Sequence, residues 1–164
     1  MEANITERRR QTRSSIYRYL YETKEFCSRQ SLSLALGLSL PTIYQNLTEL
    51  MDGGLVCYSG ETQSTGGRKA NGLSIVPDAR IAVGVSITEN RLRFVAADLR
   101  LNELAYRKVP CRFSSNISDY GAFLARELEL FLEESQIDHG RLLGIGIAVP
   151  GAITSGGHHI VLAP

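Results

Sequence analysis

Cysteine is scarce and carries no pattern. Cys27, Cys57 and Cys111 are odd in number, widely spaced and form no CxxC pair. That argues against a disulfide framework or a zinc site and fits a reducing cytoplasm; all three read as small, buried or half-buried hydrophobic side chains. Long apolar runs are absent: none approaches the roughly 18–20 residues needed to span a bilayer. The opening stretch MEANITERRRQTR is polar and basic with no apolar region behind it, so no secretory signal and no membrane partner are expected. Net charge is close to nil, at +1 from 18 Lys and Arg against 17 Asp and Glu. This balance excludes no partner, because a neutral chain binds nucleic acid if its cations share one face. What remains, 164 residues with 43% hydrophobic and 21% charged, fits one ordinary globular domain or two small ones.

The front of the chain reads as three helices and a hairpin. Ile16, Tyr19 and Leu20 give a one-sided apolar spacing over Arg10 to Thr23. Ser28 is a good N-cap for a helix from Arg29 to Leu36, and Gly37 supplies the positive φ that ends it. Ser39 caps a third helix with Pro41 in its first turn, where a missing N–H costs nothing. Ile43, Leu47, Leu50 and Met51 form its buried face, and Gly53-Gly54 ends it. Two short β-type runs follow, Leu55 to Tyr58 and Leu73 to Val76. They flank a Gly/Ser/Thr-rich loop that holds Arg68 and Lys69.

Pro77 to Arg80 reads as a linker, and then the pattern changes. Ile81–Ile87, Leu92–Asp98 and Leu104–Cys111 read as strands, with turns at Asn90-Arg91 and at Leu101-Asn102, where Asn tolerates a left-handed conformation. Tyr120 to Glu134 is an amphipathic helix. Leu142 to Val149 is a continuous apolar run, expected to be a strand buried on both faces and able to pair parallel with the first. Pro150-Gly151 breaks it, and His158 to Leu162 reads as one more strand.

The segment Ser28 to Leu50 carries the chemistry. A helix-turn-helix needs a small residue four before its turn glycine, an apolar plug after it, and an inward aliphatic residue early in the next helix. Ser33, Leu38 and Ile43 meet those needs. Thr42, Tyr44 and Gln45 then project outward from the part of the third helix that enters a major groove. Gln pairs bidentately with adenine, and a Thr methyl meets a thymine methyl. Arg29, Ser39 and the start of the third helix suit phosphate. Asn46 sits where an apolar residue is expected, either at the edge of the buried face or reaching DNA itself. Arg68 and Lys69 in a glycine loop can place a cation in a narrow minor groove. Arg8, Arg9, Arg10 and Arg13 either hold phosphates or line a solvated helix start. The alternative for the whole segment is a helical bundle that only packs.

These residues resemble a known family. The helix-turn-helix, GGL at Gly53–Leu55 and STGGRKA at Ser64–Ala70 are similar to the N-terminal domain of ROK-family transcriptional repressors. IAVGVSITENRLRFVAADL from Ile81 resembles the opening β-hairpin of the ROK domain, and LLGIGIAVPGAI from Leu142 its glycine-rich strand and loop. The resemblance implies an α+β chain, with a winged helix-turn-helix over 1–76 and the front of an actin-like, ribonuclease-H-like α/β domain over 81–164. It implies a double-stranded DNA operator, a homo-oligomer, and a sugar or sugar-phosphate effector if the full-length domain is present. Gly151 and Pro164 match positions lining one wall of the family's sugar cleft.

Two departures qualify it. The ROK sugar kinases carry a DxGGT-type phosphate loop after the first strand. Here Ser86-Ile87-Thr88-Glu89-Asn90 lacks the paired glycines, and Glu89 repels nucleotide phosphate, which favours a regulator without cofactor or catalytic residues over a kinase. The family's Asn-Asp sugar motif and His/Cys zinc motif lie downstream of Pro164, so no catalytic or metal residue is carried over. His158-His159 is read as a turn with two exposed imidazoles. The expectation is the front of a longer, sugar-responsive repressor, with a DNA-binding or dimerisation module without ligand response as the alternative.

Overall fold

In a computed structural model of the chain, the described residues are 2–23, 27–61, 71–112, 117–153 and 160–161. They form an α+β protein of two compact units, Met1–Pro77 and Asp78–Pro164.

The first unit holds α1 (Glu2–Glu22), α2 (Arg29–Leu36), α3 (Leu40–Asp52), β1 (Val56–Glu61) and β2 (Asn71–Ile75). α1 starts well before Arg10. Its first turns lack an apolar stripe, but Glu, Ala and Arg are good helix formers, and Arg8, Arg9 and Arg10 lie exposed on it. Ile16 and Leu20 are buried against Leu32 of α2, Ile43, Leu47 and Leu50 of α3, and Val56, Leu73 and Ile75 of the hairpin. Each such side chain contributes about 1.5–3 kcal/mol when fully buried. β1 and β2 are antiparallel, with Val56 opposite Ile75 and Tyr58 opposite Leu73. Cys27 bridges Leu73 through two backbone hydrogen bonds of 3.4 and 2.8 Å, which ties the entry of α2 to the hairpin. Burial pushes the Cys27 thiol up in pKa, against an opposing hydrogen bond with Ser31.

The second unit is one mixed sheet with a helix on one face. β3 (Ile81–Thr88), β4 (Arg91–Asp98) and β5 (Glu103–Pro110) form an antiparallel meander, α4 (Ile117–Glu134) follows, and β6 (Leu142–Ala148) pairs parallel with β3, giving the order β5-β4-β3-β6. Alternation places Val83, Val85, Ile87, Leu92 and Phe94 on the helix side, where they meet Phe131 and Leu132. The Phe94 and Phe131 rings stack at 5.5 Å. β7 (Ala152–Ile153) and β8 (Ile160–Val161) add a short antiparallel pair.

Two expectations need correction. Leu142–Val149 is not buried on both faces. β6 is an edge strand, and although Ile145 and Ile147 lie in register with Val83 and Val85, Ile147 is 52% exposed. Apolar continuity reports a preference for burial and cannot say that α4 packs over β3, β4 and β5 and leaves most of β6 exposed. The left-handed residue after β4 is Leu101, at φ 63°, and not Asn102. The cause is Asp98, whose carboxylate accepts from the backbone N–H groups of Arg100 and Asn102 and from the Asn102 side chain, at 2.8–2.9 Å. With both ends of the turn fixed, the positive φ falls on the residue between them. Burial alone raises the Asp98 carboxyl, but those hydrogen bonds and the Arg100 charge outweigh it and hold the pKa below the usual value. Among the described residues, no helix is long and apolar enough to cross a membrane.

Candidate nucleic-acid interface

The exposed face of α3 is set by its neighbours. α2 begins on a capping box, in which Ser28 Oγ accepts from Ser31 N–H at 3.1 Å and Ser31 Oγ accepts from Ser28 N–H at 2.9 Å. It ends at Gly37, left-handed at φ 63°, whose N–H donates to Ser33 O. Leu38 N–H also donates to Ser33 O, at 3.1 Å, and Ser33 Oγ donates to Leu38 O at 2.5 Å. The chain therefore turns over Gly37 and Leu38 before Ser39 starts α3 by accepting from Thr42 N–H. Ile43, Leu47 and Leu50 face inward, so the 3.6-residue period turns Tyr44, Gln45 and Thr48 to solvent.

The individual side chains fall as follows. Gln45 is exposed and Tyr44 is 58% exposed, whereas Thr42 is half-buried with its hydroxyl 2.8 Å from Ser39 Oγ. Ser39 is exposed and acts as the cap. Asn46 is buried, and its Nδ2 donates to Thr42 O at 2.9 Å. Of the two sequence readings, this placement is the edge of the buried face. A side-chain amide occupies an apolar position there because a backbone carbonyl one turn earlier satisfies it. Arg13 ion-pairs with Glu49, so it fastens α1 to α3 and neutralises a carboxylate on the exposed helix.

Arg29, at the first position of α2, reaches two aromatic rings. Its guanidinium carbon lies 5.2 Å from the Tyr44 centroid and 5.4 Å from that of Tyr58, within cation–π range, and it donates to the Tyr58 hydroxyl. Sequence reading missed Tyr58. Period-two alternation in β1 does put it on the face of Val56, but with no sign that this part of the strand lies beside α2. Arg68, Lys69 and Pro164 lie outside the described residues. Gly151 lies three positions past the end of β6, just before β7, with φ 145°. Among the described residues, no group of three or more His, Cys, Asp or Glu side chains is placed to hold a metal ion. The exposed face of α3 thus offers an amide, hydroxyls and an aromatic ring, and Arg29 of α2 adds a guanidinium beside it, which together is hydrogen-bonding chemistry for a polar partner.

No protein-family model matches the sequence, and no curated protein matches it either. Solved structures do. One is the crystal structure of a ROK-family transcriptional regulator, a homologue of the E. coli MLC protein. It is similar at 24% identity and a TM-score of 0.66, over 92% of this chain and 40% of that one. The chain thus has a ROK-regulator-type fold and spans well under half the length of that regulator. A zinc-bound manganese uptake regulator (17% identity, TM-score 0.31, 85% of this chain and 87% of that one) and a Campylobacter jejuni peroxide stress regulator (15%, 0.36, 94% and 96%) superpose too poorly to bear on the fold.

Proposed function

We propose that this chain is the DNA-reading unit and the first effector-domain segment of a sugar-responsive transcriptional repressor of the ROK type, acting as a homo-oligomer on a double-stranded operator. The observation that carries this reading is the α2–Gly37–α3 corner, with its turn fixed by the Ser33–Leu38 hydrogen bonds and its exposed Tyr44 and Gln45. A fixed corner of this kind presents the start of its second helix to a major groove, and the β1–β2 hairpin beside it serves as a wing. In this reading residues 1–76 form the winged helix-turn-helix and 81–164 the front of an actin-like domain. Gln45 and Thr42 read bases, Arg29, Ser39, Arg68 and Lys69 contact the backbone, and Asn46 supports α3 from inside.

The likeness to a solved transcriptional regulator supports the regulatory role. The tight β3–β4 turn at Glu89-Asn90, with Thr88 Oγ1 donating to Arg91 O at 3.0 Å, supports regulation over phosphoryl transfer. It is a closed hairpin, and Glu89 opposes nucleotide phosphates. Gly151 and Pro164 belong to one wall of the effector site. The test is a mobility-shift series with Gln45→Ala. Weakening by about 1–3 kcal/mol on the selected site, with relaxed preference at one base pair, is expected. Equal weakening on every sequence refutes base readout by Gln45.

A further inference from the structure

We propose that Arg29, Tyr44 and Tyr58 form a preset clamp for one DNA backbone phosphate. Arg29 makes the contact, and Tyr58, on the first wing strand, is its positioning residue. This rests on the DNA-binding reading above and adds a role for a residue that reading does not use.

The three side chains come from three elements: the start of α2, the exposed face of α3, and β1. Arg29 lies within cation–π distance of both rings, and its guanidinium donates to Tyr58 Oη. A guanidinium carries five N–H donors in a planar fork. None of the ion pairs between described residues uses Arg29, so among the described residues no carboxylate satisfies the fork. Two tetrahedral-oxyanion contacts through parallel N–H groups suit that edge better than any single acceptor does. The rings matter because a long flexible side chain loses rotamer freedom when it binds. Held by two aromatics, Arg29 has already lost it.

Tyr44 also changes meaning. Its ring is exposed at 58% yet engaged with Arg29, so it supports a phosphate contact in place of reading a base. The clamp further links the wing to the reading helix, because β1 sets where Tyr58 stands and Tyr58 sets where Arg29 points.

The experiment is a fluorescence-anisotropy titration of the full chain, at several KCl concentrations, with a duplex recovered from a randomised pool and with a scrambled duplex. Far-UV circular dichroism verifies each variant's helix content. Arg29→Ala should weaken binding to both duplexes and flatten the log–log salt slope by about 1. Tyr58→Ala should weaken both by about two- to fivefold. Tyr58→Phe, which keeps the ring, should lose less. Tyr58→Ala added to Arg29→Ala should cost nothing more. Arg29→Lys, which keeps the charge without the fork, should not restore full affinity.

Additive effects of the Arg29 and Tyr58 substitutions overturn the clamp, as does loss confined to the recovered duplex, or full rescue by lysine. Failure of the unsubstituted chain to bind either duplex refutes the DNA-binding reading itself, and so is distinct from failure of the clamp.

Discussion

Adding one methyl group at two different glycines should have opposite effects. At Gly37 the backbone is left-handed, at φ 63°, and a Cβ there meets no atom within 4 Å. Packing therefore contributes nothing, and only the backbone decides. Holding an L-residue in this region costs roughly 1–2 kcal/mol, partly offset by about 0.4–1 kcal/mol because alanine narrows the unfolded ensemble. The net is a destabilisation of about 0.8 kcal/mol at the centre of these ranges and at most about 1.6 kcal/mol. Gly121 lies in α4, is exposed, and its Cβ also meets nothing within 4 Å. There the propensity term acts alone, and Gly121→Ala should stabilise α4 by about 0.5–1 kcal/mol. Hydrogen-exchange mass spectrometry separates the two, because each opening is read in its own peptides. Gly37→Ala should speed exchange across α2 and α3 by roughly fourfold, and at most about fourteenfold, at 1.4 kcal/mol per factor of ten, and leave α4 unchanged. Gly37→Asn should do less, since asparagine tolerates this region. Gly121→Ala should slow exchange in α4 alone. If Gly37→Ala leaves α2 and α3 protected and binding to DNA unaltered, the corner is not left-handed and the orientation of α3 has another cause.

Asp98 and the wing supply the remaining predictions. The folded Asp98 carboxyl lies below its unfolded value, so its contribution is fully present above an unfolded pKa of about 3.9 and is lost as pH falls through the folded value. The urea midpoint of the second unit should drop between neutral pH and pH about 3, and this drop should be smaller in Asp98→Asn; an identical pH profile in the variant removes Asp98 from the account. Replacing Arg68 and Lys69 together with Ala should weaken binding to all duplexes and flatten the salt slope by about 1–2, and an unchanged slope places the wing away from DNA.

What could be read from residues alone was local. Ser28, Gly37, Ser39 and Pro41 mark caps whose chemistry acts over four residues, so α2 and the start of α3 were legible. The apolar runs Ile81–Ile87 and Leu92–Asp98, parted by the turn at Asn90-Arg91, likewise marked β3 and β4. The misses are non-local or depend on competition. β6 has an apolar sequence, but its exposure depends on which strands α4 covers. Leu101 adopts the left-handed conformation because Asp98 recruits Asn102 for hydrogen bonding, a contest that composition does not display. Tyr58 meets Arg29 across 29 positions of chain, and no spacing rule reaches that far. Asn46 was ambiguous for a related reason: only the helix's own geometry shows that Thr42 O is there to receive it.

The central claim is that the exposed face of α3 reads double-stranded DNA. Selection by this chain from a randomised duplex pool, with sequencing of the retained fraction, tests it most directly. The account predicts enrichment of a shared motif, and loss of preference at one of its positions when the selection is repeated with Gln45→Ala. Retention of no duplex, or retention with no sequence enriched over the starting pool, would contradict it.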